Sequence, residues 1–185
     1  MPSESEIVST SKFLSLVLRH RPEVVGSSLD DNGWMEVDAL IEGAAANGRT
    51  LTRELIDEVV ATNDKRRFVT SDDGRRIRAS QGHSLAAVDL GLSPTKPPDV
   101  LFHGTVERFV ASIRRQGLQK RSRQHVHLSA DRETATKVGS RRGKPVVLRI
   151  DAGGMTKVGA VFYRSDNGVW LTDHVPPKFI EFDED

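Results

Sequence analysis

Phe68-Val-Thr-Ser-Asp-Asp-Gly-Arg-Arg-Ile-Arg-Ala79 decides the first half of the chain. Phe68-Val-Thr70 and Ile77-Arg-Ala79 carry aromatic and β-branched residues, and Ser71-Asp-Asp-Gly74 between them supplies turn residues, so the spacing predicts a β-hairpin. Upstream, Leu51, Leu55, Ile56, Val59 and Val60 mark one face of a helix. Before it, Asp31-Asn-Gly33 reads as a turn and Trp34-Met-Glu-Val37 as a short strand. That strand leads into a helix over 38–46, with Asp38 as its cap and Asn47-Gly48 as its end. Further back, Ile7, Val8, Phe13, Leu14, Leu16, Val17 and Leu18 predict a helix over 6–20. Ser3 and Glu6 are placed as a capping box, and Pro22 stops the helix after Arg19-His-Arg21.

Helix, strand, two helices and a hairpin is the element order of a winged helix, which taken alone argues for DNA binding. Residues 81–98, with Gly91-Leu-Ser-Pro94 and Pro97-Pro98, have the composition of a connection, so two domains are expected, 1–94 and 95–185. In the second, Val100-Leu-Phe-His-Gly-Thr105 reads as a strand ending in a turn. Phe109, Ile113 and Leu118 suit a helix closed at Gly117, and a short helix follows Asp131. Pro145-Val-Val-Leu-Arg-Ile150 reads as a buried strand, and Val161-Phe-Tyr163 with Val169-Trp-Leu171 flank Ser165-Asp-Asn-Gly168 as a second hairpin. The fold class expected is α+β in two lobes.

Within the second lobe, Arg121-Ser-Arg-Gln-His-Val-His-Leu-Ser129 alternates polar and apolar residues. As a strand it would set Arg123, His125, His127 and Ser129 on one face and Val126 and Leu128 on the other. A polar row on an apolar backing suits the floor of a site with an anion-binding Arg at one end, and equally an amphipathic edge strand with solvated histidines. Arg19-His-Arg21 is open in the same way: it complements a helix macrodipole, or it presents a phosphate clamp at a helix end.

Composition narrows the chemistry. The chain has no Cys, so disulfides, thiolate metal sites and a catalytic thiol are excluded. No apolar run approaches membrane length and the N-terminus lacks the pattern of a secretion signal, so a cytoplasmic protein is expected. The net charge of +1 conceals 13 Lys or Arg against 4 Asp or Glu between Lys96 and Ile150, a local +9 that points to a polyanionic partner. No dinucleotide fingerprint, phosphate-binding Walker loop or nucleophile elbow occurs. A zinc site from His125, His127 and one of His83, His103 or His174 lacks both Cys and an H-E-x-x-H pattern, so no metal is expected. What remains is a set of Arg and His groups with almost no carboxylates, and such groups serve phosphates.

Leu18-Arg-His-Arg-Pro22, Gly33-Trp34, Val37-Asp38, Arg67-Phe68, Ile77-Arg-Ala-Ser-Gln-Gly-His-Ser84, Phe102-His-Gly-Thr105, His125-Val-His-Leu-Ser129 and Asn167-Gly-Val-Trp-Leu-Thr172 together resemble the KptA-type RNA 2′-phosphotransferase family, in that family's order. The resemblance implies an N-terminal winged-helix RNA-binding lobe, a C-terminal NAD-binding lobe of ADP-ribosyltransferase type, and a site in the cleft between. It places the family's Arg, His, Arg, Arg tetrad on Arg19, His20, Arg67 and Arg123; of the Arg66-Arg67 pair, Arg67 is chosen because it directly precedes Phe68. It puts NAD against the Gly104 backbone, His103, Thr105, His125, His127 and Ser129. Phe102 stands where the family often has Tyr, a difference of one hydroxyl.

The activity implied is NAD-dependent removal of an internal RNA 2′-phosphate in two steps. The RNA 2′-phosphate first displaces nicotinamide; because the nucleophile is already an anion, no general base is required. Where protein-modifying ADP-ribosyltransferases carry a Glu, this chain has the apolar run Val169-Trp-Leu171, which does not repel a phosphate dianion. The ribose 2″-OH then attacks the linking phosphate, releasing 2′-OH RNA and ADP-ribose 1″,2″-cyclic phosphate, with His20 as the proton-transfer group. Two other activities suit the same residues: an ADP-ribosyltransferase that caps terminal nucleic-acid phosphates, and a nucleotide-sensing winged-helix transcription regulator. The partners expected are 2′-phosphorylated RNA, in tRNA splicing or RNA repair, and NAD, with no membrane. One chain supplies the whole cleft, so a monomer is expected.

Overall fold

In a computed structural model, residues 2–63 and 65–182 are described, and they form a mixed α/β protein with six α-helices and several small antiparallel sheets. The chain divides into two compact units, one ending at Gly91 and the other beginning at Leu92. The partition falls a few residues before 95 because the Thr95 amide donates to the Phe162 carbonyl at 2.8 Å and Pro94 bridges to Tyr163, which ties this segment into the second unit.

The first unit runs α1 (Glu4–Arg19), β1 (Trp34–Glu36), α2 (Val37–Ala46), α3 (Arg53–Ala61), β2 (Phe68–Thr70) and β3 (Arg76–Ala79), with the strands in the order β1-β3-β2. Helix α1 starts at the predicted capping box: the Ser3 amide donates to Glu6 Oε2 at 2.8 Å and the Glu6 amide to Ser3 Oγ at 3.3 Å, an arrangement that stabilises a helix by about 1 kcal/mol. Leu14, Val17 and Leu18 on its inner face are fully buried against Leu40, Ile56, Phe68 and Ile77. The helix closes at His20, two residues before Pro22, as predicted.

Asp38 is not the cap of α2. That helix begins one residue earlier, its N-cap is Glu36, and no side chain caps it. The Val37 amide reaches the Arg75 carbonyl at 2.8 Å, so a tertiary partner satisfies the helix end, while the Asp38 carboxylate accepts from Arg53 at 2.9 Å. Gly33, with φ of +81°, turns the chain into β1 over the ring of His83, whose Nε2 would lie 3.1 Å from any Cβ at that position.

The second unit comprises β4 (Val100–Val106), α4 (Glu107–Gln116), β5 (Leu118–Gln119), β6 (Val126–Leu128), α5 (Arg132–Gly139), β7 (Pro145–Asp151), α6 (Ala152–Lys157), β8 (Phe162–Arg164), β9 (Trp170–Thr172), β10 (His174–Val175) and β11 (Ile180–Glu181). Its sheets are β11-β7-β4, β6-β9-β8 and the pair β10-β5, all antiparallel. Reciprocal main-chain hydrogen bonds between Phe102 and Ser129, at 2.9 and 2.8 Å, join the edge of β4 to the end of β6. Leu101, Leu128, Leu148, Ile150, Phe162 and Trp170 fill the core between strands and helices.

Two expectations are corrected here. No turn follows Thr105: β4 runs to Val106, paired with Pro145, and α4 begins at the next residue, because the long β7 partner holds β4 extended over seven residue pairs. The strand expected over 121–129 is reduced to Val126–Leu128. A turn from Lys120 to Arg123, with Arg121 at φ of +53°, occupies its first part, since the partner β9 offers only three residues to pair with.

Candidate active site

Arg19, His20 and Arg67 belong to the first unit, and one short segment organises them. After β3 the chain continues through Ser80-Gln-Gly-His-Ser84. At its start the Ser80 amide donates to the Arg67 carbonyl at 2.9 Å and its hydroxyl donates to the Arg66 carbonyl at 2.7 Å, fixing the turn in which Arg66 holds a φ of +41°. At its end the Ser84 amide donates to the Arg19 carbonyl at 3.0 Å, and Ser84 Oγ lies 3.0 Å from His20 Nδ1. The C-terminus of α1 and the approach to β2 are thus tied to the same five residues. The Arg19 guanidinium sits 6.0 Å from the centroid of the Phe68 ring, beside Arg67 in sequence. What this segment ties together is the main chain at Arg19, Arg66 and Arg67 and the ring of His20; guanidinium groups suit a phosphate and an imidazole a proton transfer.

His83 belongs to this segment, and its ring points into the protein. It is 1% exposed, and neither ring nitrogen has a hydrogen-bond partner. Burial first, then the neighbouring charges of Arg19, His20 and Arg78, push its pKa down to about 4. It is a neutral packing residue, set against Gly33.

In the second unit Arg123, His103 and His127 come together, although not by strand alternation. Arg123 lies in the turn before β6, and its guanidinium donates to His127 Nδ1 at 3.2 Å. The His127 carbonyl in turn accepts from His103 Nδ1 at 3.0 Å. Burial lowers the His103 pKa, the hydrogen bond to His127 partly offsets it, and the charges of Arg123 and Arg142 add to the fall. His103 is therefore neutral at pH 7 with its proton on Nδ1, and its Nε2 is an acceptor. A guanidinium only donates, so His127 Nδ1 accepts and its Nε2 carries hydrogen. The Nε2 atoms of the two rings are therefore complementary, one an acceptor and one a donor.

Arg123 is exposed, although protein packs closely around its guanidinium. Burial, then repulsion from Arg142 and Arg141, lowers its pKa from the ordinary guanidinium value, and it remains a cation. Three arginines sharing a region form a field that an anion relieves.

Gly104 stands mid-strand, paired with Val147. The Phe102 N–H and C=O are taken by Ser129, so the alternation of an antiparallel ladder turns those of Gly104 to the same edge, away from β7. A Cβ at Gly104 would meet the Ala135 carbonyl of α5 at 1.8 Å, so only glycine lets helix and strand approach this closely. Thr105, by contrast, is buried at 8% exposure. His125 precedes β6 and packs its ring on Tyr163 with centroids 5.6 Å apart, and Ser129 joins β6 to Phe102. Among the described residues no three His, Asp or Glu side chains cluster as metal ligands, and no helix is long and apolar enough to cross a membrane.

Sequence reasoning did not single out Ser80, Ser84, Arg141 or Arg142. The excess of basic residues between Lys96 and Ile150 was the signal available for the arginines. The serines lie inside a quoted motif, but the partners of their hydroxyls are 14 to 65 residues away.

Comparison with known proteins gives a consistent result. The profile of the RNA 2′-phosphotransferase, Tpt1/KptA family matches residues 5–174. The chain is 63% identical over 182 residues to a "probable RNA 2′-phosphotransferase" of Rhodopirellula baltica, covering 98% of this chain and 99% of that protein. Proteins given the same description from Flavobacterium johnsoniae and Streptomyces coelicolor are 56% identical over 180 residues and 55% over 179, covering 97% of this chain in both cases and 98% and 97% of those proteins.

Proposed function

The chain belongs to the RNA 2′-phosphotransferase, Tpt1/KptA family, and from that premise we propose that it removes an internal 2′-phosphate from RNA with NAD⁺ as co-substrate. The linked set Arg123–His127–His103 carries this reading. A dinucleotide has vicinal ribose hydroxyls, an anionic pyrophosphate and a carboxamide that both donates and accepts. The acceptor Nε2 of His103 and the donor Nε2 of His127 suit the hydroxyls. The field of Arg123, Arg141 and Arg142 suits phosphate, and the Gly104 main chain, unobstructed by a side chain, suits the carboxamide. His125, Thr105 and Ser129 complete the proposed NAD set, with Thr105 acting through its main chain because its side chain is buried. We propose that this unit is of ADP-ribosyltransferase type and that the first unit is a winged helix that holds RNA.

The chemistry NAD⁺ supplies is an electrophilic ribose carbon with nicotinamide as leaving group. This chain's own groups do the rest. Arg19, Arg67 and Arg123 hold the 2′-phosphate and stabilise charge on it, an effect on the order of 3 kcal/mol for a well-placed donor. His20 takes the proton of the attacking ribose hydroxyl and returns it to the departing RNA 2′-oxygen. No carboxylate is required, because the first nucleophile is already ionised. The test is incubation of the protein with NAD⁺ and a 2′-phosphorylated oligonucleotide without added metal. Appearance of 2′-OH RNA and nicotinamide is expected. Accumulation of ADP-ribosylated phosphate alone would mark a capping enzyme, and binding without turnover a nucleotide sensor; either result overturns the proposal.

A further inference from the structure

We propose that Ser84 is a positioning residue for His20: its hydroxyl accepts from His20 Nδ1–H and so holds the proton there, leaving Nε2 as the working atom. This rests on the reading of His20 as the proton-transfer group. Ser84 is fixed from two sides. Its amide donates to the Arg19 carbonyl at 3.0 Å, and that carbonyl also stands 3.5 Å from Ser84 Oγ, where it can take the hydroxyl hydrogen. With the hydrogen directed to Arg19, the lone pairs of Oγ face His20 Nδ1 at 3.0 Å. A base oriented by a third group is a general arrangement in catalysis, and the third group is commonly a carboxylate. Here a carboxylate would stand close to a phosphate dianion and repel it, so a neutral hydroxyl orients the ring without adding negative charge. The proton balance closes: Nε2 takes the hydrogen of the ribose 2″-OH and gives it to the RNA 2′-oxygen, while Nδ1–H stays on Ser84 throughout.

Two measurements test this, one of them independent of turnover. In the free protein, long-range ¹H–¹⁵N spectra of neutral His20 are expected to show the Nδ1–H tautomer in the wild type and in Ser84→Thr, and a shift toward Nε2–H in Ser84→Ala. A wild-type ring already protonated on Nε2, or one unchanged by Ser84→Ala, overturns the proposal. Ser84 is exposed, so its replacement leaves the core untouched. Under single-turnover conditions Ser84→Ala is expected to slow consumption of the ADP-ribosylated RNA roughly tenfold or more, as misorientation of an acid–base group does, with nicotinamide release within about threefold of wild type and Thr restoring both. An equal fall in both steps, unrelieved by Thr, overturns it. If the wild type consumes no 2′-phosphorylated RNA, the functional reading fails while the tautomer result still decides the role of Ser84.

Discussion

The Arg123 guanidinium stands 3.2 Å from Nδ1 of His127, and the His127 carbonyl receives His103 Nδ1 at 3.0 Å. One arginine outside any strand therefore sets the tautomer of a strand histidine, which holds a second histidine in turn. Arg123→Ala removes both the proposed phosphate ligand and this orientation. Both nicotinamide release and phosphate transfer should fall by about 10²-fold, the usual cost of losing a well-placed charge-stabilising donor. Single-turnover assays resolving substrate, intermediate and product check this; an effect confined to one step would contradict it.

His20→Ala should separate the two steps. Nicotinamide release needs a positioned anion, whereas the second step needs a proton moved, so ADP-ribosylated RNA should accumulate while its consumption slows by ~10²-fold. If product formation collapses with no intermediate, His20 acts in or before the first step. Arg67→Lys should rescue poorly beside it, because an ammonium cannot reproduce a bidentate guanidinium.

Gly104→Ala should disrupt the second unit. The added Cβ meets two backbone groups, the Ala135 carbonyl at 1.8 Å and the Gly139 amide at 2.8 Å, so α5 must move off β4. A loss on the order of 4 kcal/mol, or roughly 10 °C in Tm, is expected in thermal denaturation. A variant with unchanged Tm would show that α5 yields easily.

Acid should destabilise the first unit through His83. Its folded pKa is about 4 against an ordinary 6.5, so the unfolded chain binds the extra proton in that window. The stability of the neutral buried ring is fully present above about pH 6.5 and is lost progressively as pH falls toward 4, by roughly 3 kcal/mol in all. His83→Leu, which has no proton to gain and no hydrogen bond to lose, should resist acid better than the wild type over that window. Parallel Tm–pH curves for the two would exclude His83 as the cause.

RNA affinity should fall steeply with salt. Arg123, Arg141 and Arg142 share one region of the basic stretch, and each phosphate contact with a single strand contributes about −0.7 to the slope of log K against log salt. Binding of a 2′-phosphorylated oligonucleotide across a salt series should give a slope near −2 or steeper. A flat response would mean that these charges only solvate the surface.

Much of the local structure was legible in the sequence because its causes are local. Ser3 and Glu6 sit three residues apart as a capping box requires, Pro22 stops α1, and Ser71-Asp-Asp-Gly74 turns between β2 and β3. The family was legible in the order of short motifs, which the comparison with relatives bears out. The failures occur where a distant partner decides. The Arg75 carbonyl replaced Asp38 at the start of α2, β7 drew β4 past Thr105, and the three-residue β9 left Arg123 and His125 outside β6. Parity alone put Arg123 in line with His127. The structure instead brings it there through a turn and a side-chain hydrogen bond. Ser84 shows the same limit, since nothing within its own segment indicates that its hydroxyl meets a ring 64 residues earlier. A single sequence records periodicity and turn chemistry directly. It records a hydrogen bond closed over tens of residues only through the folded backbone that brings the two ends together.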